Sequence, residues 1–274
     1  MQTKSIPKDS MTILDTIVAQ KRIEIENAQK TVSIANLQAA EHFKRKSLSL
    51  KASLTKTGSS GIIAEFKRKS PSKGFIKADA DVAEITSGYS NAGAAGMSVL
   101  TDTKFFGGSK EDLLKARAAN PNTPILRKDF MVDNYQIYEA KAWGADVILL
   151  IAACLDSQQI DTLSTKAHEL GLEVLLEIHN EEELDKSPLK HIDVIGVNNR
   201  NLKNFAESNV NASLELIKII PAEMVKISES CISQTSTIKQ LKNVGYQGFL
   251  IGENFMKTEN PGAALDSFIK EIEA

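Results

Sequence analysis

Glu65 and Lys67 close a short apolar run, Ile62-Ile63-Ala64, and stand two residues apart. In a strand, side chains at i and i+2 share a face, so this carboxylate and this ammonium point the same way from the end of an oily element. Burying two charges is costly unless something uses them, which marks the pair as candidates for catalysis. Other apolar runs end similarly: in Arg127-Lys128-Asp129-Phe130, in Glu177, in Asn198-Asn199-Arg200-Asn201, in Ser228-Glu229-Ser230 and in Gly252-Glu253-Asn254. Carboxylates and cations dominate, so the chemistry indicated is proton transfer on an anionic substrate. Clustered cations lower one another's pKa, and one lysine is expected to serve as proton donor near neutral pH. A Ser-His-Asp arrangement is not indicated, because His179 is the one histidine at such an end and it reads as a loop residue.

The elements that must position these groups alternate. Eight β-rich runs are expected, at 62–66, 97–101, 124–130, 146–152, 173–178, 194–197, 225–227 and 248–251. Amphipathic helical stretches separate them, and Gly93, Gly144, Gly171 and Gly245 each fall just past one, as C-terminal caps do. Repeated βα units of this period predict a (β/α)8 TIM barrel, α/β in class. No Gly-x-Gly-x-x-Gly follows the first strand, which argues against an open doubly wound sheet. Residues 1–60 are expected to be an N-terminal helical extension, with a helix from Met11 to about Ala40 and another within 44–59, packed over one mouth of the barrel. The whole chain, 1–274, is read as one domain.

In such a barrel the active site lies at the C-terminal ends of the strands, where all of these polar endings meet. Ser230 and Gly252-Glu253 follow strands 7 and 8, where barrels commonly bind phosphate through backbone N–H groups. Phe105-Phe106 and Phe130 offer apolar walls that suit an aromatic substrate.

Composition narrows the partners. A formal net charge of −2 gives no electrostatic reason for nucleic acid or an anionic membrane. No apolar stretch nears the roughly 20 residues that span a bilayer, and Met1 to Ser10 carry no signal-peptide core. Two distant cysteines, Cys154 and Cys231, point to a reducing cytoplasm. The four histidines show no metal-ligand spacing, so no metal is expected.

Taken in order, the motifs resemble those of the indole-3-glycerol-phosphate synthase family. They are Ile63-Ala64-Glu65-Phe66-Lys67-Arg68-Lys69-Ser70-Pro71-Ser72, Ser98-Val99-Leu100-Thr101 with Phe106-Gly107-Gly108-Ser109, and Leu126-Arg127-Lys128-Asp129-Phe130. Leu176-Glu177-Ile178-His179, the run from Ile195 to Leu202, Ser228-Glu229-Ser230 and Leu250-Ile251-Gly252-Glu253 complete the series. The resemblance implies a carboxy-lyase of tryptophan biosynthesis that needs no cofactor, acts on a phosphorylated small molecule and is a monomer. It implies Lys128 as general acid and Glu177 as general base, with Glu65 and Asn198 orienting groups around the reacting carbon. Lys67 matches a lysine that binds the substrate carboxylate and assists dehydration, and it is also counted toward the phosphate site with Ser230, Cys231, Gly252 and Glu253. Arg200 would hold anionic groups, and Ser70, Pro71, Phe106, Phe130, Leu149 and Ile151 would surround the substrate's aromatic ring. The extension resembles the helix that the family lays over the barrel mouth.

One position departs from the family pattern. Cys231 stands where glycine is usual, and its N–H serves phosphate as glycine's would only if the backbone angles there are ordinary. Two rival readings are weaker. A phosphoribosylanthranilate isomerase needs a cysteine at the end of strand 1, where this chain has Glu65 and Lys67, and an inactive barrel should have lost some of the residues just named.

Overall fold

A computed structural model describes residues 12–70, 74–200 and 209–274. Eight parallel strands close into a barrel: β1 (Ile62–Phe66), β2 (Gly96–Leu100), β3 (Ile125–Lys128), β4 (Val147–Ile151), β5 (Glu173–Ile178), β6 (Val194–Asn198), β7 (Val225–Glu229) and β8 (Gly248–Ile251). Each pairs with its sequence neighbours and β1 pairs with both β2 and β8, so the barrel has no open edge. The (β/α)8 expectation holds, with strand boundaries within about two residues of those expected from the sequence.

Alternation along the strands builds two apolar layers. Ile62, Ala64, Met97, Val99, Ile148, Leu150, Val174 and Leu176 face the surrounding helices. The opposite set, Ile63, Leu126, Leu149, Leu175, Ile227 and Leu250, fills the barrel interior. One residue pair further along each inward row brings the site residues to the mouth: Ile63 leads to Glu65, Leu126 to Lys128, Leu149 to Ile151, Leu175 to Glu177 and Ile227 to Glu229. The period of two that packs the core therefore also aims the chemistry.

The extension covers both ends of the barrel rather than one mouth. Helix α1 (Ile13–Thr31), opened by a capping box between Thr12 and Asp15, places Ile13, Leu14 and Ile17 over the C-terminal mouth. The helix expected to reach Ala40 breaks at Val32, and Ser33 caps a separate short α2 (Ile34–Gln38). Helix α3 (Leu50–Thr55) sits under the opposite end. Its Leu50 and Leu54 join the interior core, in space that Cβ atoms on Gly96 and Gly248 would occupy. Asp146 fastens this end, accepting from Arg45 at 2.6 Å and from the Leu48 amide at 2.7 Å.

Lys21 fastens the other. It lies buried on α1, 2.7 Å from Asp102 and 3.1 Å from Asp129. Asp102 in turn caps the short helix Thr103–Phe106, accepting from the Phe105 and Phe106 amides. Asp129 follows Lys128 directly, so one buried cation ties α1 to two loops of the site.

Candidate active site

Beneath α1 lies a cavity of about 500 Å³ at the C-terminal ends of the strands. Of the residues singled out in the sequence, Glu65, Lys67, Ser70, Phe106, Lys128, Phe130, Leu149, Ile151, Glu177, Asn198, Arg200, Ser230, Cys231, Gly252 and Glu253 all line it. Pro71 lies outside the described residues. The aromatic wall is real: the Phe106 and Phe130 rings pack 6.0 Å apart, beside Ile13, Leu14 and Ile17 of α1.

Lys128 forms the centre. Its Nζ is 2.8 Å from Glu177 Oε2 and 2.9 Å from Glu229 Oε2. Asn198 Nδ2 donates to the other oxygen of Glu177 at 3.1 Å, while Arg200 N donates to Asn198 Oδ1 at 3.0 Å. A second pair stands nearby, Lys67 Nζ at 2.8 Å from Glu65 Oε1. Two glycines make room for these carboxylates. A Cβ on Gly196 would collide with Glu229 Oε1, and one on Gly252 would lie 2.6 Å from Glu65 Oε1.

The electrostatics correct one expectation. Lys128 is not lowered by neighbouring cations. Burial pushes its pKa down, but Glu177, Glu229 and Glu65 outweigh burial and raise it. In the resting site it is a firmly charged hydrogen-bond donor. The two carboxylates it bridges are driven apart: burial would raise both, yet Lys128, His179 and Asn198 bring Glu177 below its ordinary value. For Glu229, burial and the charge of Glu177 prevail over Lys128 and push it up to about 7. Two acids of one type thus hold different protonation tendencies around one ammonium.

Glu229 is the main residue that the sequence reading left without a role. Its signal was the inward step from Ile227, identical to that from Leu175 to Glu177. Lys257 and Ser233 also line the cavity unforeseen. His179 is a loop residue, just past Ile178, but it lines the cavity, with its side chain only 11% exposed.

At the end of β7, Ser230 and Cys231 have φ of 65° and 58°, the only left-handed non-glycine residues among those described. The backbone angles at Cys231 are therefore not ordinary, and the chain takes a glycine-like conformation there at a cost of about 1 kcal/mol or more. Because β7 and β8 are neighbours, this turn lies beside Gly252 and Glu253.

Comparison with known proteins agrees with this architecture. The family model described as indole-3-glycerol phosphate synthase matches residues 14–268. The chain belongs to the indole-3-glycerol phosphate synthase family. A relative of that name from Bacteroides thetaiotaomicron is 49% identical over 261 residues, spanning 95% of this chain and 99% of its own. Another, from a Polaromonas species, is 43% identical over 257 residues, 92% of this chain and 96% of its own. Among solved structures, 3-hexulose-6-phosphate synthase from Salmonella typhimurium superposes with a TM-score of 0.61 at 11% identity, covering 77% of this chain and 99% of that one. Thiamine phosphate pyrophosphorylase from Pyrococcus furiosus gives 0.59 at 12%, covering 82% and 100%. At such identity the structural likeness to these two concerns the barrel fold alone. No described helix is long and apolar enough to cross a membrane.

Proposed function

We propose that this chain converts 1-(2-carboxyphenylamino)-1-deoxyribulose 5-phosphate into indole-3-glycerol phosphate, CO2 and water, as a carboxy-lyase of tryptophan biosynthesis. The observation that carries the reading is Lys128 held between Glu177 and Glu229 beside an apolar wall. Closing the ring requires the ketone oxygen to gain a proton as the aromatic carbon attacks. Lys128 is the general acid, its ammonium turning from a carboxylate to the ketone. The attack leaves an iminium-like cation, and that cation is the electron sink for CO2 loss. Glu177, steadied by Asn198, is the base that removes a proton from the methylene carbon beside the nitrogen as the hydroxyl departs in dehydration. Lys67, paired with Glu65, assists departure of the hydroxyl as water and neutralises the substrate carboxylate.

Phe106, Phe130, Leu149 and Ile151 receive the aromatic ring, with Ser70 at the rim, and they keep water from the reacting carbons. Arg200 holds anionic groups. Ser230, Gly252 and Glu253 take the phosphate, joined by Cys231. The left-handed backbone of Cys231 supplies the conformation glycine would, so its N–H serves although its angles are not ordinary. Lys67 and Lys257 add cations on the cavity wall. The enzyme works as a cytoplasmic monomer. Incubation with the substrate while indole fluorescence is followed tests the reading. Appearance of the indole emission is expected, and its absence with well-folded protein sinks the assignment.

A further inference from the structure

The proposed reaction consumes protons unevenly. Ring closure and loss of the hydroxyl as water each take one proton from the enzyme, and the base recovers one. CO2 leaves without a proton. Starting from an ionised substrate carboxylate, each turnover therefore draws one net proton from outside the reacting molecule. In a cavity closed by substrate and covered by α1, bulk water is a poor source for it.

His179 stands where such a proton would be kept. Its Nδ1 is 3.2 Å from Glu183 Oε2, and its own backbone N–H donates to that same oxygen at 2.8 Å. Asn180 donates to the other oxygen of Glu183 at 3.2 Å, so this carboxylate is fixed from three directions. The far side of the ring faces the site. Nε2 is buried without a hydrogen-bond partner among the described residues, 3.6 Å from Glu177 Oε1. That separation is too long for a hydrogen bond but closes with a small movement of the carboxylate, as catalytic contacts often tighten only when substrate is bound. Glu177 in turn touches Lys128 at 2.8 Å. A line of donors and acceptors thus runs Glu183, His179, Glu177, Lys128.

We propose that His179 enters each turnover as the imidazolium and supplies the net proton, through Glu177, to Lys128 after the lysine has protonated the substrate. This rests on the roles proposed above for Lys128 and Glu177. The proton on Nε2 passes to the Glu177 carboxylate and from that acid to the Lys128 amine, which becomes ammonium again. The ring is left neutral, with its remaining proton on Nδ1 bonded to Glu183. When product leaves and the cavity opens, Nε2 takes a proton from water. The proton that Glu177 takes up in dehydration returns to Lys67, which gave one to the departing hydroxyl, so one proton enters, one is consumed and no tautomer needs to be reset.

The charges around the ring favour this state. Burial disfavours the imidazolium, but the hydrogen bond to Glu183 and the charges of Glu177, Glu183 and Glu229 outweigh it and raise His179 above its ordinary value. Cys154, in the turn after β4, also feels the charges of Glu177 and Glu183, and burial, with those carboxylates, pushes its thiol up so that it stays neutral. His179 acts through Glu177 and is a positioning and supply residue, distinct from the groups that touch substrate.

The test is the pH profile of kcat for the wild type, His179→Asn and Glu183→Gln, with and without added imidazole. In the wild type kcat should fall on the alkaline side as His179 loses its charge. His179→Asn should lower kcat by about 10–100-fold with little change in KM, erase that alkaline limb, and recover in proportion to added imidazole. Glu183→Gln, which keeps the shape but removes the anchoring charge, should move the limb about one pH unit lower. Should His179→Asn not fold, Glu183→Gln decides alone by whether the limb moves. A purely structural histidine would change kcat without imidazole rescue or movement of the limb, and that result overturns the proposal. Absence of turnover in the wild type would instead overturn the assigned reaction.

Discussion

Lys128 and Glu177 are 49 residues apart in the chain and 2.8 Å apart in space, each at the C-terminal end of its strand. The pair meets because Leu126 and Leu175, two residues before each, both point into the barrel. It does not stand alone, since Glu229 holds the same ammonium from the other side.

Lys128→Met should reduce kcat by about 100- to 10,000-fold while substrate affinity changes far less, because a general acid is lost and the binding walls remain. The variant also leaves Glu177 and Glu229 facing each other without their cation. Thermal unfolding should therefore shift to lower temperature at pH 8 than at pH 5, a contrast measurable by calorimetry. Retained turnover would move the acid role to Lys67.

Glu229→Gln carries a stability signature with a definite sign. The folded protein holds the Glu229 proton up to about pH 7, whereas an unfolded chain releases it near the ordinary carboxylate value of 4.5. Between those values the folded state binds more protons, so this group's contribution falls as pH rises through the window and is fully lost above it. The unfolding free energy of the wild type should decline from pH 5 to pH 8 by about 1–3 kcal/mol on this account. In Glu229→Gln that part of the decline should vanish, as read by urea denaturation at each pH.

Cys231→Gly should stabilise the protein by about 1 kcal/mol, since a left-handed backbone costs a side chain that much and glycine nothing. The maximal rate should stay similar and KM should be unchanged or lower. A raised KM would mean that the thiol side chain, 3.9 Å from the Asn199 carbonyl, contributes more to the turn than its strain removes.

Lys21→Met leaves Asp102 and Asp129 buried without their shared cation, and breaking such a cluster costs about 3–5 kcal/mol. Because Asp102 also caps the helix bearing Phe106, KM should rise more than kcat falls. Limited proteolysis should cut α1 sooner than any barrel element, and uniform cleavage across the chain would contradict this coupling.

What the sequence by itself determined was local and periodic. Eight short apolar runs placed the strands, glycines such as Gly144 and Gly171 marked helix ends with φ of 87° and 69°, and the polar endings of those runs picked out Glu65, Lys128 and Glu177. These follow from steric rules that act within a few residues and so are written along the chain. Only the tertiary structure decided which charges meet. That Lys128 is encircled by carboxylates, that Lys21 on the extension closes on Asp102 and Asp129, and that His179 turns inward toward Glu177 depend on side chains from separate strands and helices. The expectation that clustered cations lower one lysine's pKa fails at Lys128 for that reason. A pKa is set by distance and dielectric in space, and spacing along the sequence carries neither.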